Sequence, residues 1–173
     1  MRRAAIVFVG GGVGACLRGL LLSWLAPLST LVPLPVLVAN VLGAFILGMV
    51  YSLADEAGLL RVETRLFLAV GMLGGFTTFS TFAWGSDVLL ARSAGAVGAA
   101  VVYVIASVMG GVVAVGAGQV AGREAIATLE RTAEGLLGRL QERGLRRAGK
   151  AREDIGSIEA EDRGEPTDHK ESA

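Results

Sequence analysis

Most of the residues from which disulfide scaffolds, zinc sites and soluble enzymes are built are scarce in this chain. A single cysteine, Cys16, excludes an intramolecular disulfide. The one histidine, His169, lies near the C-terminus, so no cluster of cysteine and histidine ligands can form. Charge is equally thin between residues 4 and 121, where the only charged side chains are Arg18, Asp55, Glu56, Arg61, Glu63, Arg65, Asp87 and Arg92. A soluble domain carries charge on every surface element, which makes a soluble fold a poor reading of this stretch. No phosphate-binding loop, nucleotide-binding fingerprint or nucleophile–base pair is visible, so neither an enzyme nor a nucleic-acid partner is expected.

Apolar residues and glycine fill the space that charge leaves. Hydrophobic residues make up 53% of the 173, and glycine contributes 25, well above the ~7% usual in proteins. In lipid, glycine lets helix backbones approach closely. Four apolar segments are long enough to cross about 30 Å of hydrocarbon, which takes roughly 20 helical residues. They run from about Ala4 to Leu25, Pro35 to Leu53, Arg65 to Leu90 and Ala94 to Val120. The two arginines before the first segment give it the look of a signal peptide, but comparable segments follow at once, so it is read as a span.

The expected fold is therefore an all-α membrane protein of four transmembrane helices. Residues 1–122 form the membrane domain. A cytosolic amphipathic helix over 123–149 follows, its stripe being Ile126, Leu129, Ala133, Leu136 and Leu140. A disordered acidic tail is expected over 150–173.

The third segment is the unusual one. Gly71, Gly74 and Gly75 precede the run Phe76-Thr77-Thr78-Phe79-Ser80-Thr81-Phe82. Glycines beside hydroxyls in mid-membrane predict a helix break, which leaves amides and carbonyls to be satisfied by protein, water or an ion. A small hydrated anion crossing there needs donors. Threonine and serine hydroxyls can supply them, and the rim of a phenyl ring is electropositive. Phe79 and Phe82, three apart, share a helical face. Packing phenylalanines and backbone-bonded hydroxyls are an equally open reading of the same residues.

Other polar side chains in the spans have two readings each. Asn40, near the middle of the second segment, is either a donor to an anion or a helix–helix tie. Arg18 either lines an aqueous vestibule that attracts anions or snorkels to an interface. Tyr103 and Ser107 share a face of the fourth segment, with core packing the default.

Taken together, these residues resemble the small bacterial fluoride channels of the CrcB or Fluc family. Three motifs over about residues 4 to 120 carry the resemblance. They are Gly11-Gly12-Val13-Gly14-Ala15-Cys16-Leu17-Arg18, then Val38-Ala39-Asn40-Val41-Leu42-Gly43-Ala44-Phe45-Ile46-Leu47-Gly48, then Gly74 through Phe82. The third is the specific one. The resemblance implies an antiparallel dimer with two pores, each lined by both subunits. It also implies that Phe79 and Phe82 contact the permeating fluoride and that Asn40 is the pore asparagine. Ser80, Thr81, Tyr103 and Ser107 would form a polar track. It further implies a structural sodium ion (Na+) at the dimer centre, held by the backbone carbonyls of Gly74 and Thr77. Ala44 stands where a serine is common, and the chain beyond Gly122 lies outside the family's body.

Arginine distribution sets the expected orientation. Arg2, Arg3, Arg61, Arg65 and Arg123 fall on one side, against Arg92 and Arg18 on the other, which favours cytoplasmic termini in the cell membrane. That excess leaves two dimers open, with itself or with a homologous subunit inserted the opposite way. The functional expectation is passive fluoride export across the cytoplasmic membrane. The rivals are a small proton-coupled exporter, for which only Asp87 could carry the proton, and a non-transporting scaffold.

Overall fold

The computed structural model describes residues 1–29, 32–56, 58–92 and 96–162. All regular structure among them is helical. Helix α1 covers Arg2–Leu25 and ends in a 3₁₀ turn, Ala26–Leu28, where Pro27 removes an amide from the ladder. Helix α2 covers Leu34–Tyr51, with Pro35 in its first turn, where a missing amide costs nothing. A π-helical turn, Ser52–Glu56, closes it.

The third span is assembled from consecutive pieces. They are α3 (Val62–Arg65), a π-helical stretch (Leu66–Leu73), α4 (Gly74–Phe76) and α5 (Phe79–Arg92). Helix α6 covers Val97–Asp162. Among the described residues, four helical segments are long and apolar enough to cross a membrane: Arg2–Leu28, Leu34–Asp55, Val62–Ala91 and Val97–Arg146.

The chain divides into two compact units, Met1–Ala127 and Thr128–Ala173. In the second unit the described backbone is helical through Asp162, and Leu129, Leu136, Leu137, Leu140 and Leu145 are exposed. The disordered acidic tail expected over 150–173 falls partly on residues 163–173, which lie outside the described residues.

Within the first unit, glycines set how closely the helices pack. A Cβ on Gly10 would sit 2.6 Å from the Phe67 carbonyl oxygen, and one on Gly71 would sit 2.8 Å from that of Val7. One turn on, a Cβ at Gly14 would collide with the Met72 carbonyl, and one at Gly75 with that of Gly11. Gly10 and Gly14 on α1 thus face Gly71 and Gly75 on the third span, small residues spaced by four on both sides. Helices α2 and α6 use the same device. Gly48 abuts the Val115 carbonyl and Gly118 that of Phe45, while Ser52 Oγ, buried beside them, donates to the Gln119 carbonyl at 3.0 Å. Outside these seams the helices present large apolar side chains outward, among them Phe8, Val13, Leu20 and Trp24 on α1 and Val102, Ile105, Met109 and Val113 on α6.

The polar loop after α2 is tied down at its ends. Arg65 Nη1 donates to Asp55 Oδ1 at 2.6 Å, and the same guanidinium lies 5.0 Å from the centre of the Tyr51 ring. Both partners are about half exposed, which keeps the worth of the ion pair below about 1 kcal/mol.

Candidate functional site

The site grows out of two residues that belong to no helix. After Phe76 the backbone leaves α4, and Thr77 takes an extended conformation (φ −78°, ψ 157°) before α5 starts at Phe79. Such a step frees backbone groups that cannot be left bare in an apolar setting. Thr77 closes the end of α4 locally, its amide and its Oγ1 both donating to the Leu73 carbonyl at 2.9 Å. Thr78 opens α5 as its cap. Its Oγ1 accepts from the Thr81 amide at 3.3 Å, and the same hydroxyl lies 3.0 Å from Thr81 Oγ1 and 3.3 Å from Ser80 Oγ.

Neighbouring helices supply the remaining partners. Asn40, on α2, makes two bonds to Thr78: Nδ2 donates to its carbonyl at 3.0 Å, and Oδ1 accepts from its amide at 2.8 Å. Arg18, on α1, donates from Nη1 to the Thr77 carbonyl at 3.1 Å. All three bonds link residues far apart in sequence.

Beside this step lies a groove of about 270 Å³ lined by Asn40, Thr77, Thr78, Phe79, Phe82, Ser107 and Val108. Phe79 and Phe82, one turn apart on α5, stand with ring centres 5.8 Å apart and planes tilted by 48°. Phe79 is 79% exposed, so its ring has an open face. Phe82 in turn meets Tyr103 of α6, ring centres 5.5 Å apart. Tyr103 is only 2% exposed, yet its hydroxyl has no hydrogen-bond partner among the described residues. Ser107 Oγ donates back to the Tyr103 carbonyl at 2.7 Å, a bond its hydroxyl can exchange by rotating.

The structure therefore gathers most of the residues singled out from the sequence. Asn40, Phe79, Phe82 and Ser107 line the groove; Ser80 and Thr81 adjoin it through Thr78; Tyr103 stands behind Phe82. Arg18 does not line the groove. Gly74 is exposed, with nothing within 4 Å of a Cβ added there. Thr78, which the sequence offers only as one hydroxyl of the run and the resemblance gives no role of its own, both lines the groove and receives Asn40. Its signal was the threonine three residues before Thr81 at the start of the resumed helix, a capping spacing. Among the described residues no group of three or more His, Cys, Asp or Glu side chains could hold a metal ion.

The sequence of this unit matches a known family model, described as CrcB-like protein, Camphor Resistance (CrcB), over residues 5–119. The chain belongs to the CrcB-like family. Among its relatives, a fluoride-specific ion channel FluC of Chlorobium chlorochromatii is 37% identical over 118 residues, 68% of this chain and 90% of that protein. A fluoride-specific ion channel FluC of Agrobacterium fabrum is 37% identical over 124 residues, 71% of this chain and 98% of the relative. A third, fluoride-specific ion channel FluC 1 of Methanosarcina acetivorans, is 43% identical over 88 residues, 51% of this chain and 67% of its own length. CrcB-like membership and the four apolar helical segments together make this a multi-pass membrane protein. The family match takes in α1, α2, the third span and the first part of α6, and so includes every residue that lines the groove.

Proposed function

We propose that this protein is a fluoride-selective channel that lets fluoride leave the cytoplasm passively and so limits its toxicity. The observation that carries the reading is the groove at the Thr77–Thr78 step, where two phenyl rings and several hydroxyls surround one small volume. The family relatives named as fluoride-specific ion channels support it. Fluoride is small and strongly hydrated, so a path for it must replace water with donors at short range. The edges of Phe79 and Phe82 offer positive quadrupole. Thr81, Ser80 and Ser107 offer rotating hydroxyls, and Tyr103 offers a buried hydroxyl with no partner in hydrogen-bond geometry among the described residues, which a passing anion would satisfy. Asn40 has a second amide proton beyond the one donated to Thr78, available to the same ion.

The reading extends to assembly and location. The groove is open on one side, and a second copy or a homologous subunit, inserted antiparallel, would close it into a pore shared by both. The proposed location is the cytoplasmic membrane, with the C-terminal helix on the cytosolic side. Sodium would be held by the carbonyls of Gly74 and Thr77 from each subunit. The open surroundings of Gly74 fit such a role and carbonyl oxygens suit a hard cation, while the Thr77 carbonyl, which already accepts from Arg18, would offer the ion its second lone pair. One chain brings only these two positions, so a second chain is needed to complete the shell. Bound there, the ion would supply fixed positive charge beside the anion path. Asp87, the carboxylate a proton-coupled exporter would use, is exposed and does not line the groove.

The test is to replace Phe79 or Phe82 with isoleucine and measure fluoride efflux from liposomes. Each change removes the aromatic edge while keeping an apolar side chain, and a loss of at least about a hundredfold is expected for a group in contact with the ion, an order of magnitude typical of a lost electrostatic contact. Flux equal to wild type in both variants would remove the rings from the path.

A further inference from the structure

One peptide unit at the step between α4 and α5 is held from two sides. Its oxygen, the Thr77 carbonyl, accepts from Arg18 Nη1 at 3.1 Å. Its amide, on Thr78, donates to Asn40 Oδ1 at 2.8 Å. The Thr77–Thr78 peptide is trans, and in a trans unit these two groups point in opposite directions. Arg18 from α1 and Asn40 from α2 therefore grip opposite edges of a single plane. Asn40 Nδ2 then takes the next carbonyl, that of Thr78, at 3.0 Å.

The two partners differ in where they stand. Thr77, Thr78 and Asn40 line the groove, and Arg18 does not. A guanidinium inside a membrane span is costly unless it finds a partner, and a carbonyl released from a helix needs a donor. One bond across 59 residues of sequence meets both needs. It also has an electrostatic consequence, because a carbonyl oxygen turned toward an anion path repels the anion.

We infer that Arg18 is a positioning residue for anion passage: it holds the Thr77 carbonyl toward α1, and with Asn40 it prevents the Thr77–Thr78 peptide from rotating that oxygen into the groove. The inference rests on the channel reading above. It differs from a vestibule role, in which Arg18 would draw anions from solution through its charge. Attraction of that kind acts at a distance and is screened by salt, whereas a direct hydrogen bond is not.

The experiment compares wild type, Arg18→Leu and Arg18→Lys in liposomes, measuring fluoride and chloride efflux at low and high concentrations of an impermeant salt. In parallel, the Thr77 carbonyl ¹³C resonance is recorded in bilayers by solid-state NMR. Fluoride release by wild type checks the channel reading separately. If wild type is silent that reading fails, while the Thr77 resonance still reports whether Arg18 holds the carbonyl. Arg18→Leu is expected to lower fluoride flux about tenfold at both salt concentrations, the scale of one hydrogen bond to a charged donor. It should also narrow the fluoride-to-chloride ratio and move the Thr77 resonance. Arg18→Lys, which keeps a donor of similar reach, should restore flux to within about threefold and bring the resonance back. A loss in Arg18→Leu that disappears at high salt, with the Thr77 resonance unmoved, overturns the inference. Should Arg18→Leu not assemble, Arg18→Gln, which is shorter and uncharged, decides: flux lowered equally at both salt concentrations with the Thr77 resonance displaced supports it, and a loss that disappears at high salt with the resonance unmoved overturns it.

Discussion

Along α1, Gly10, Gly11, Gly12, Gly14 and Gly19 fall within one helix, and that helix runs unbroken from Arg2 to Leu25. Along the third span, Gly71, Gly74 and Gly75 precede a step at Thr77 and Thr78 where the backbone leaves the helix and resumes it. Glycine content does not separate the two. What separates them is whether the freed backbone has anywhere to go. Helix α1 is continuous, whereas at the step Arg18, Asn40 and the Thr77 and Thr78 hydroxyls serve the exposed groups one by one. Glycines on both helices mainly set distance, letting α1 come close enough for Arg18 to reach the Thr77 carbonyl. The interruption is a property of three helices together, and the site exists because they are packed.

That contrast can be broken at several points, and the largest effect belongs to the seam. Gly14→Leu would place side-chain atoms on the Met72 carbonyl, backbone that cannot move aside. We expect no assembled protein, seen as loss of the monodisperse peak in size-exclusion chromatography; a well-behaved variant would show that α1 and the third span need not touch here. Next comes Asn40→Leu, which leaves the Thr78 amide and carbonyl without their partners. Each orphaned group costs about 1–3 kcal/mol, so fluoride flux should fall at least about a hundredfold in protein that still elutes normally. Near-normal flux would mean that the step holds its shape without α2.

Smaller effects sharpen the comparison. Thr78→Val keeps the side-chain shape but removes the hydroxyl that caps α5. A lost cap costs about 1 kcal/mol, and a fall in flux of roughly fivefold is expected, together with a lower thermal midpoint in detergent. Smallest of all is Gly12→Ala. Nothing lies within 4 Å of a Cβ there, so stability should change by less than about 1 kcal/mol and flux should stay as in wild type. Set beside Gly14→Leu, it separates glycines that pack from glycines that merely occur.

Much of this is legible in the sequence. Four spans followed from run length and the absence of charge, and the proline positions marked where α1 stops and α2 starts. The phenylalanine–hydroxyl run marks the stretch that lines the groove, although packing rings and backbone-bonded hydroxyls account for the same residue types equally well. The π-helical register of Leu66–Leu73 left no trace in the pattern, since a wide turn changes hydrogen bonding and leaves apolar composition untouched. The bonds from Arg18 and Asn40 were equally hidden. They join residues 59 and 38 apart, and local periodicity says which face a side chain takes but not which strange backbone waits opposite. For that reason Asn40 could be read as donor or as tie. In the structure it ties with two of its groups and keeps one proton spare.

The central claim is that this groove passes fluoride and rejects larger anions, and ion efflux tests it most directly. The purified chain is reconstituted into liposomes loaded with fluoride or, separately, with chloride, and release is followed with an ion-selective electrode after a potassium ionophore sets the membrane potential. The account predicts rapid fluoride release and chloride release close to that of protein-free liposomes. Equal release of both ions would contradict it.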